Sequence, residues 1–219
     1  MLAVRGGGHN GGGLGSCDDR LVIDLSRMKG VRVDPARRTA RVEGGCTWGD
    51  VDHATHAFGL ATPSGLFSTT GFDGLTLGGG LGYLTRKFGL SIDNLIGADM
   101  VLADGRFVTV SADEDSDLFW AIRGGGGNFG VVTSFLFRLH PVKTVVAGPT
   151  LWPLNQAADL MRWYREFITS APEDMNGIFA FLTVPPVSEM TRNRSIHFAR
   201  RQCAISWTFL STSHRQRRS

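Results

Sequence analysis

The chain has 219 residues, 42% of them hydrophobic and 20% charged. That is a globular composition, large enough to bury a core of its own. No stretch approaches the ~18 apolar residues of a membrane-spanning helix, and the N-terminus has no apolar signal-peptide core, so membrane spanning and secretion are both unexpected. The net charge of +3 is uneven: residues 187–219 hold seven arginines against the single acid Glu189, and the rest of the chain is mildly acidic. The body therefore gives no support to a nucleic-acid partner. Cys17, Cys46 and Cys203 show no metal-type spacing. Three cysteines leave one over in any disulfide scheme, and they read as reduced thiols of a cytoplasmic protein.

Residues 2–4 form a short apolar run that meets a glycine loop at once. Residues 21–25 suit a buried strand. The alternation at 31–33 and 39–42, across a turn set by Pro35, predicts a hairpin. Thr47 and Asp50 form a capping-box pattern, and Trp48, Val51, Ala54 and Phe58 follow at helical spacing. A second hairpin, 98–103 with 106–110, closes on Asp104-Gly105. Residues 115–122 predict a short helix, 131–139 a strand, and 141–153 a hinge-like connection with one strand. Ala157, Leu160, Met161, Tyr164, Phe167 and Ile168 keep the helical period to about Ser170. One more strand is expected at 178–184. Beyond Pro186 the composition changes; apart from a possible strand at 203–210, residues 187–219 read as a weakly ordered basic tail. The whole is α+β and strand-rich.

Twenty-nine glycines are well above the usual share, and they concentrate in three places. These are Arg-Gly-Gly-Gly-His-Asn at 5–10, the run from Ser68 to Gly82, and the run from Arg123 to Val132. Loops of this kind let backbone approach a bulky group closely, and their free N–H groups hold anions, phosphates especially. Taken alone, the first loop is equally well a structural turn, and its histidine a loop residue bonded to a neighbouring carbonyl. It is not a Rossmann fingerprint, and no phosphate-loop lysine motif is present.

Five segments together carry a more specific resemblance. They are Ala-Val-Arg-Gly-Gly-Gly-His-Asn at 3–10, Glu-Gly-Gly-Cys-Thr-Trp-Gly-Asp-Val at 43–51, and Ala-Thr-Pro-Ser-Gly-Leu-Phe-Ser-Thr-Thr-Gly at 61–71. The other two are Gly-Leu-Thr-Leu-Gly-Gly-Gly-Leu-Gly through Asn94, from Gly74, and Asp-Leu-Phe-Trp-Ala-Ile-Arg through Val132, from Asp117. In these the chain resembles the FAD-linked oxidases with a PCMH-type (vanillyl-alcohol-oxidase-like) flavin domain, in the berberine-bridge-enzyme-like branch, over residues 2–186. The resemblance implies an α+β fold with mixed sheets. Residues 1–142 would be the FAD-binding domain, 143–186 the beginning of a second α+β substrate domain, and 187–219 a divergent basic tail.

Position by position, the resemblance implies that Arg5, Gly6, Gly7, Gly8 and Asn10 wrap the FAD pyrophosphate. His9 would bond covalently to the flavin ring, a role open to imidazole because its neutral form is a nucleophile. Ser68, Thr69, Thr70, Gly71 and Gly74 would run along the cofactor, with Leu75 where some relatives carry histidine. Phe67 stands where some relatives carry a second flavin-linking cysteine, so attachment through His9 alone is expected. Gly130, Val131 and Val132 would meet the flavin ring or ribityl chain, with Asn94 beside them. Gly-Gly-Gly at 78–80 would serve close chain packing, and Cys46 would pack as a small apolar residue.

No metal and no catalytic base can be assigned. The implied activity is hydride transfer from a small alcohol, sugar or amine-like substrate to FAD, with molecular oxygen as acceptor. The family usually has a further piece before the first loop and a longer substrate domain. The expectation is therefore a fragment, in the extreme a non-catalytic product that at most binds FAD. A shift of reading frame near codon 186 would leave such a compositional break.

Overall fold

A computed structural model describes residues 2–142, 144–182 and 203–211. The chain divides into two compact units, 1–143 and 144–219. In the first, β1 (Leu2–Arg5) pairs in parallel with β2 (Leu21–Asp24), and a hydrogen bond from Leu25 N–H to Arg5 C=O extends the pairing. β3 (Val31–Asp34) and β4 (Thr39–Glu43) form the expected antiparallel hairpin.

α1 (Trp48–His56) begins at the capping box read from the sequence: Thr47 N–H donates to Asp50 Oδ2 at 2.7 Å, and Asp50 N–H donates to Thr47 Oγ1 at 3.4 Å. Both satisfy N–H groups that a helix start leaves unpaired. A Thr47→Ala chain is expected to lose about 1 kcal/mol of stability, read from urea unfolding; an unchanged midpoint would show that the box contributes nothing. The helix ends earlier than its period suggests. Phe58 lies beyond it and is 52% exposed, and the buried positions are Trp48, Val51 and Thr55.

β5 (Leu60–Ala61), α2 (Phe72–Leu77) and α3 (Thr85–Phe88) follow, then a 3-10 turn at Ser91–Asn94. β6 (Leu95–Val101) and β7 (Phe107–Ser111) make the second hairpin, with Gly105 at φ +86° in its turn. α4 (Ser116–Ile122), β8 (Val131–Arg138) and β9 (His140–Pro141) complete the unit. β3, β4, β8, β6 and β7 join in that order into one antiparallel sheet, while β5 pairs with β9.

One face of the five-stranded sheet carries the core. Phe135 and Phe137 of β8 meet Phe72 of α2 at ring-centroid distances of 5.4 and 4.9 Å, and Trp48 meets Phe72 at 4.4 Å. All four are fully buried. Tilted and edge-on aromatic pairs of this kind add stability beyond the area they bury. Phe72 also matters for position, because it fixes the start of α2 and thus the loop before it. The opposite face is polar: Asp99 accepts from Arg41, from Thr109 Oγ1 at 2.9 Å and from Ser134 Oγ at 2.6 Å.

In the second unit, β10 (Val145–Pro153) and β11 (Met175–Leu182) flank β12 (Cys203–Ser211), all antiparallel, and α5 (Ala157–Ser170) connects the first two. The weakly ordered reading of 187–219 is corrected for residues 203–211 alone, where the possible strand at 203–210 is borne out. Residues 203–211 are the central strand of this sheet, held by main-chain pairing on both edges. The remainder of that segment, 187–202 and 212–219, lies outside the described residues.

Candidate functional site

The three glycine stretches come together around one cleft of about 630 Å³ within the first unit. That is the size range of small-molecule and cofactor sites. β1 delivers the first loop: Arg5, Gly6, Gly7, Gly8, His9 and Asn10 all line the cleft, with Leu14 and Gly15 beyond them. The second wall comes from the start of α2, through Thr70, Gly71, Asp73, Gly74, Leu75, Leu77 and Gly78. Gly126, Gly127, Asn128, Gly130 and Val132 form the third.

The first two loops touch through backbone. A Cβ placed on Gly71 would lie 2.5 Å from Gly7 N and 2.7 Å from Gly7 Cα. Only a residue without a side chain fits there. Gly71 is anchored from behind, since its neighbour Phe72 donates N–H to Cys46 C=O at 2.9 Å and Gly71 itself bridges Thr47. Trp48 N–H donates to Thr70 C=O at 3.0 Å. The capped start of α1 thus holds the second loop against the first.

Among the described hydrogen bonds, the N–H groups of Gly7, Gly8 and His9 donate to no protein acceptor. Consecutive unpaired N–H groups on glycine backbone make a concavity suited to an anionic oxygen. Asn10 Oδ1 accepts from Leu14 N–H at 3.2 Å, which leaves its amide nitrogen to donate. The His9 ring is exposed at the cleft.

Ser68, Thr69, Val131 and Asn94 are not brought to the cleft lining. Ser68 C=O accepts from Gly49 N–H at 2.8 Å, so this end of the loop supports α1. Val131 pairs with Val101 inside the sheet. Asn94 is 3% exposed; its amide nitrogen donates to Phe88 and Leu90 C=O, both at 2.9 Å, and its Oδ1 lies 2.6 Å from His140 Nε2. It fastens the turn after α3 to β9, and every polar atom of its side chain is engaged in doing so. Burial, with Arg138 and Lys87 nearby, holds His140 below its ordinary pKa.

Cys46 is fully buried in the aromatic core, and burial, with Asp50 nearby, pushes its thiol up to about 11. Such a thiol packs and does not react. Phe67 is 64% exposed. Gly126, Gly127 and Asn128 were visible in the sequence only as part of a glycine run, and Asp73 carried no signal of its own. Among the described residues no group of three or more His, Cys, Asp and Glu could hold a metal ion, and no helix is long and apolar enough to cross a membrane.

A cleft walled by glycine backbone, with unpaired N–H groups at one end, has the form suited to a large phosphorylated cofactor. Residues 1–111 match the family described as FAD binding domain. The chain belongs to that family. It is 45% identical over 169 residues to an FAD-linked oxidoreductase of Dictyostelium discoideum, covering 77% of this chain and 37% of the relative. To (R)-6-hydroxynicotine oxidase of Paenarthrobacter nicotinovorans it is 43% identical over 152 residues, 69% of this chain and 33% of the relative.

The crystal structure of 6-hydroxy-D-nicotine oxidase from Arthrobacter nicotinovorans is similar with a TM-score of 0.82 at 33% identity, over 97% of this chain and 45% of that one. Berberine-bridge-enzyme-like protein 1 of Physcomitrella patens gives 0.82 at 29%, over 97% and 44%. These likenesses bear out the α+β, PCMH-type fold and the berberine-bridge-enzyme-like resemblance. The chain spans less than half the length of each of these relatives.

Proposed function

We propose that the cleft holds FAD and that the chain is the flavin-holding part of an oxidoreductase, with His9 as a single covalent attachment point. The observation that carries this reading is the set of unpaired N–H groups at Gly7, Gly8 and His9, facing a cleft closed by the Gly7–Gly71 contact. These residues fit the group: the first loop offers donors to a diphosphate, and the contact between glycines leaves the cleft free of side-chain bulk where the loops converge. Leu75 offers the cofactor an apolar surface, packed on the core from behind. Asn10 adds a side-chain donor beside the diphosphate. Phe67 cannot form a second covalent bond.

Bound FAD supplies hydride acceptance and onward electron transfer, and the protein supplies binding, orientation and electrostatics. Residues 1–142 would be the FAD domain and 143–186 the start of the substrate domain. The relatives are named for 6-hydroxynicotine and, among solved structures, for glucose dehydrogenase. An amine, alcohol or sugar donor fits these names, and oxygen as acceptor fits the oxidase name. The test is anaerobic addition of such donors to the flavin-loaded chain, watching the visible flavin absorbance, followed by air and a peroxide assay. Bleaching and then peroxide release supports an oxidase. Colour that no donor bleaches would reduce the chain to a flavin binder.

A further inference from the structure

Asp73 is the one acid among the described residues that line the cleft, and it is 8% exposed. A Cβ on Gly6 would lie 2.6 Å from both its Cγ and its Oδ2. The carboxyl therefore lies over the Gly6 backbone, where the first two glycine loops meet. Oδ1 accepts the Gly74 N–H. Among the described ion pairs none joins Asp73 to Arg5 or His9, the two basic side chains of the lining. Burial raises this carboxyl above the ordinary range, opposed by the Gly74 N–H. A buried acid with no cationic partner beside an anion-holding loop is not explained by anion binding alone.

We propose that Asp73 couples FAD uptake to the uptake of a proton, the neutral acid being the form that admits the anionic diphosphate. The inference rests on the assignment of the cleft to FAD. An ionised Asp73 and a diphosphate in one cleft repel each other, the more so because Asp73 is buried. The protonated acid removes that repulsion and gains an O–H donor.

The sign follows from linkage. Asp73 is already raised in the free chain, and a bound anion raises it further. Affinity is then highest at low pH and falls as pH rises through the window between the two values. The fall is about tenfold per pH unit at most for one proton. Other charged groups face this region. Arg5 lines the cleft on the first loop. His9 is the other basic side chain of the lining. Asp93, on the turn packed against α2, lies 3.6 Å from Arg123 and accepts the Leu90 N–H at 2.8 Å. Asp50, beyond the Thr47–Gly71 bridge, is paired with Lys29 at 2.9 Å. Neither Asp93 nor Asp50 lines the cleft.

The experiment uses the full chain as His9→Ala and as His9→Ala/Asp73→Asn. The shared change removes the His9 imidazole, and with it the proposed attachment point, from both. Asparagine keeps an oxygen to accept the Gly74 N–H. FAD is titrated from about pH 5 to 8 by quenching of flavin fluorescence, with circular dichroism to check folding. The expected result is an affinity that falls with pH in His9→Ala. The double variant is expected to show a flat profile, tighter by at least ~10-fold at the alkaline end. Parallel profiles would overturn the coupling. So would an equal weakening by Asn at every pH, the mark of a carboxyl that only holds the loop. Folded chains that bind FAD at no pH would overturn the FAD assignment, and this inference with it.

Discussion

A His9→Ala chain, expressed with riboflavin and denatured in acid, is expected to carry no flavin fluorescence on the protein band, while the wild-type chain retains it. Non-covalent FAD survives neither acid nor the unfolding of its cleft, so only a bond from protein to flavin keeps the signal. His9 has the placement for that bond: its ring is exposed, its backbone N–H belongs to the unpaired set, and it lines the cleft. Before denaturation the variant is expected to stay yellow, because the donors of the first loop and the walls of the cleft are unchanged. Fluorescence remaining on the His9→Ala band would place the attachment elsewhere. Its absence from wild type would mean that FAD is held without a covalent bond.

Gly71→Ala is expected to have the second large effect. The added methyl would lie 2.5 Å from Gly7 N and 2.7 Å from Gly7 Cα, backbone atoms that no rotamer change can move aside. The loops must separate by roughly an ångström, and the N–H groups at Gly7 and Gly8 then lose their common aim. A loss of FAD affinity of ~100-fold, about 2.7 kcal/mol, is expected. Stability is expected to fall by only about 1–3 kcal/mol, as for other overpacked sites. Fluorescence titration beside a melting curve separates the two. An affinity within ~3-fold of wild type, about 0.65 kcal/mol, would show that the contact between loops does not shape the site.

Local chemistry was legible in the sequence. Thr47 and Asp50 gave the start of α1, and Asp104-Gly105 gave the turn between β6 and β7, because each signal lies within a few residues of the structure it makes. The end of α1 was not legible: Phe58 continues the apolar period, yet the helix stops at His56 and the ring is exposed. Thr55, polar by type, is buried in its place and satisfies its hydroxyl on Val51 C=O at 3.0 Å.

Pairing between distant segments was equally hidden. β4 meets β8 across some ninety residues, and the possible strand at 203–210 carries no sign that it enters between β10 and β11 as β12. At the site, glycine density marked all three walls. It could not tell which of the flanking residues line the cleft: Ser68, expected beside Gly71, supports α1, and Asn94, expected beside Gly130, Val131 and Val132, is bonded to His140 of β9. Asp73 was missed for the opposite reason. A single aspartate inside a glycine motif means nothing until the fold lays it over Gly6.

The central claim is that these glycine loops form a working FAD site within this chain. Its most direct test is titration of the folded, flavin-free wild-type chain with FAD, following flavin fluorescence and counting bound cofactor per chain. The account predicts saturable quenching that ends at one FAD per chain. A folded chain that shows no saturable binding would contradict it.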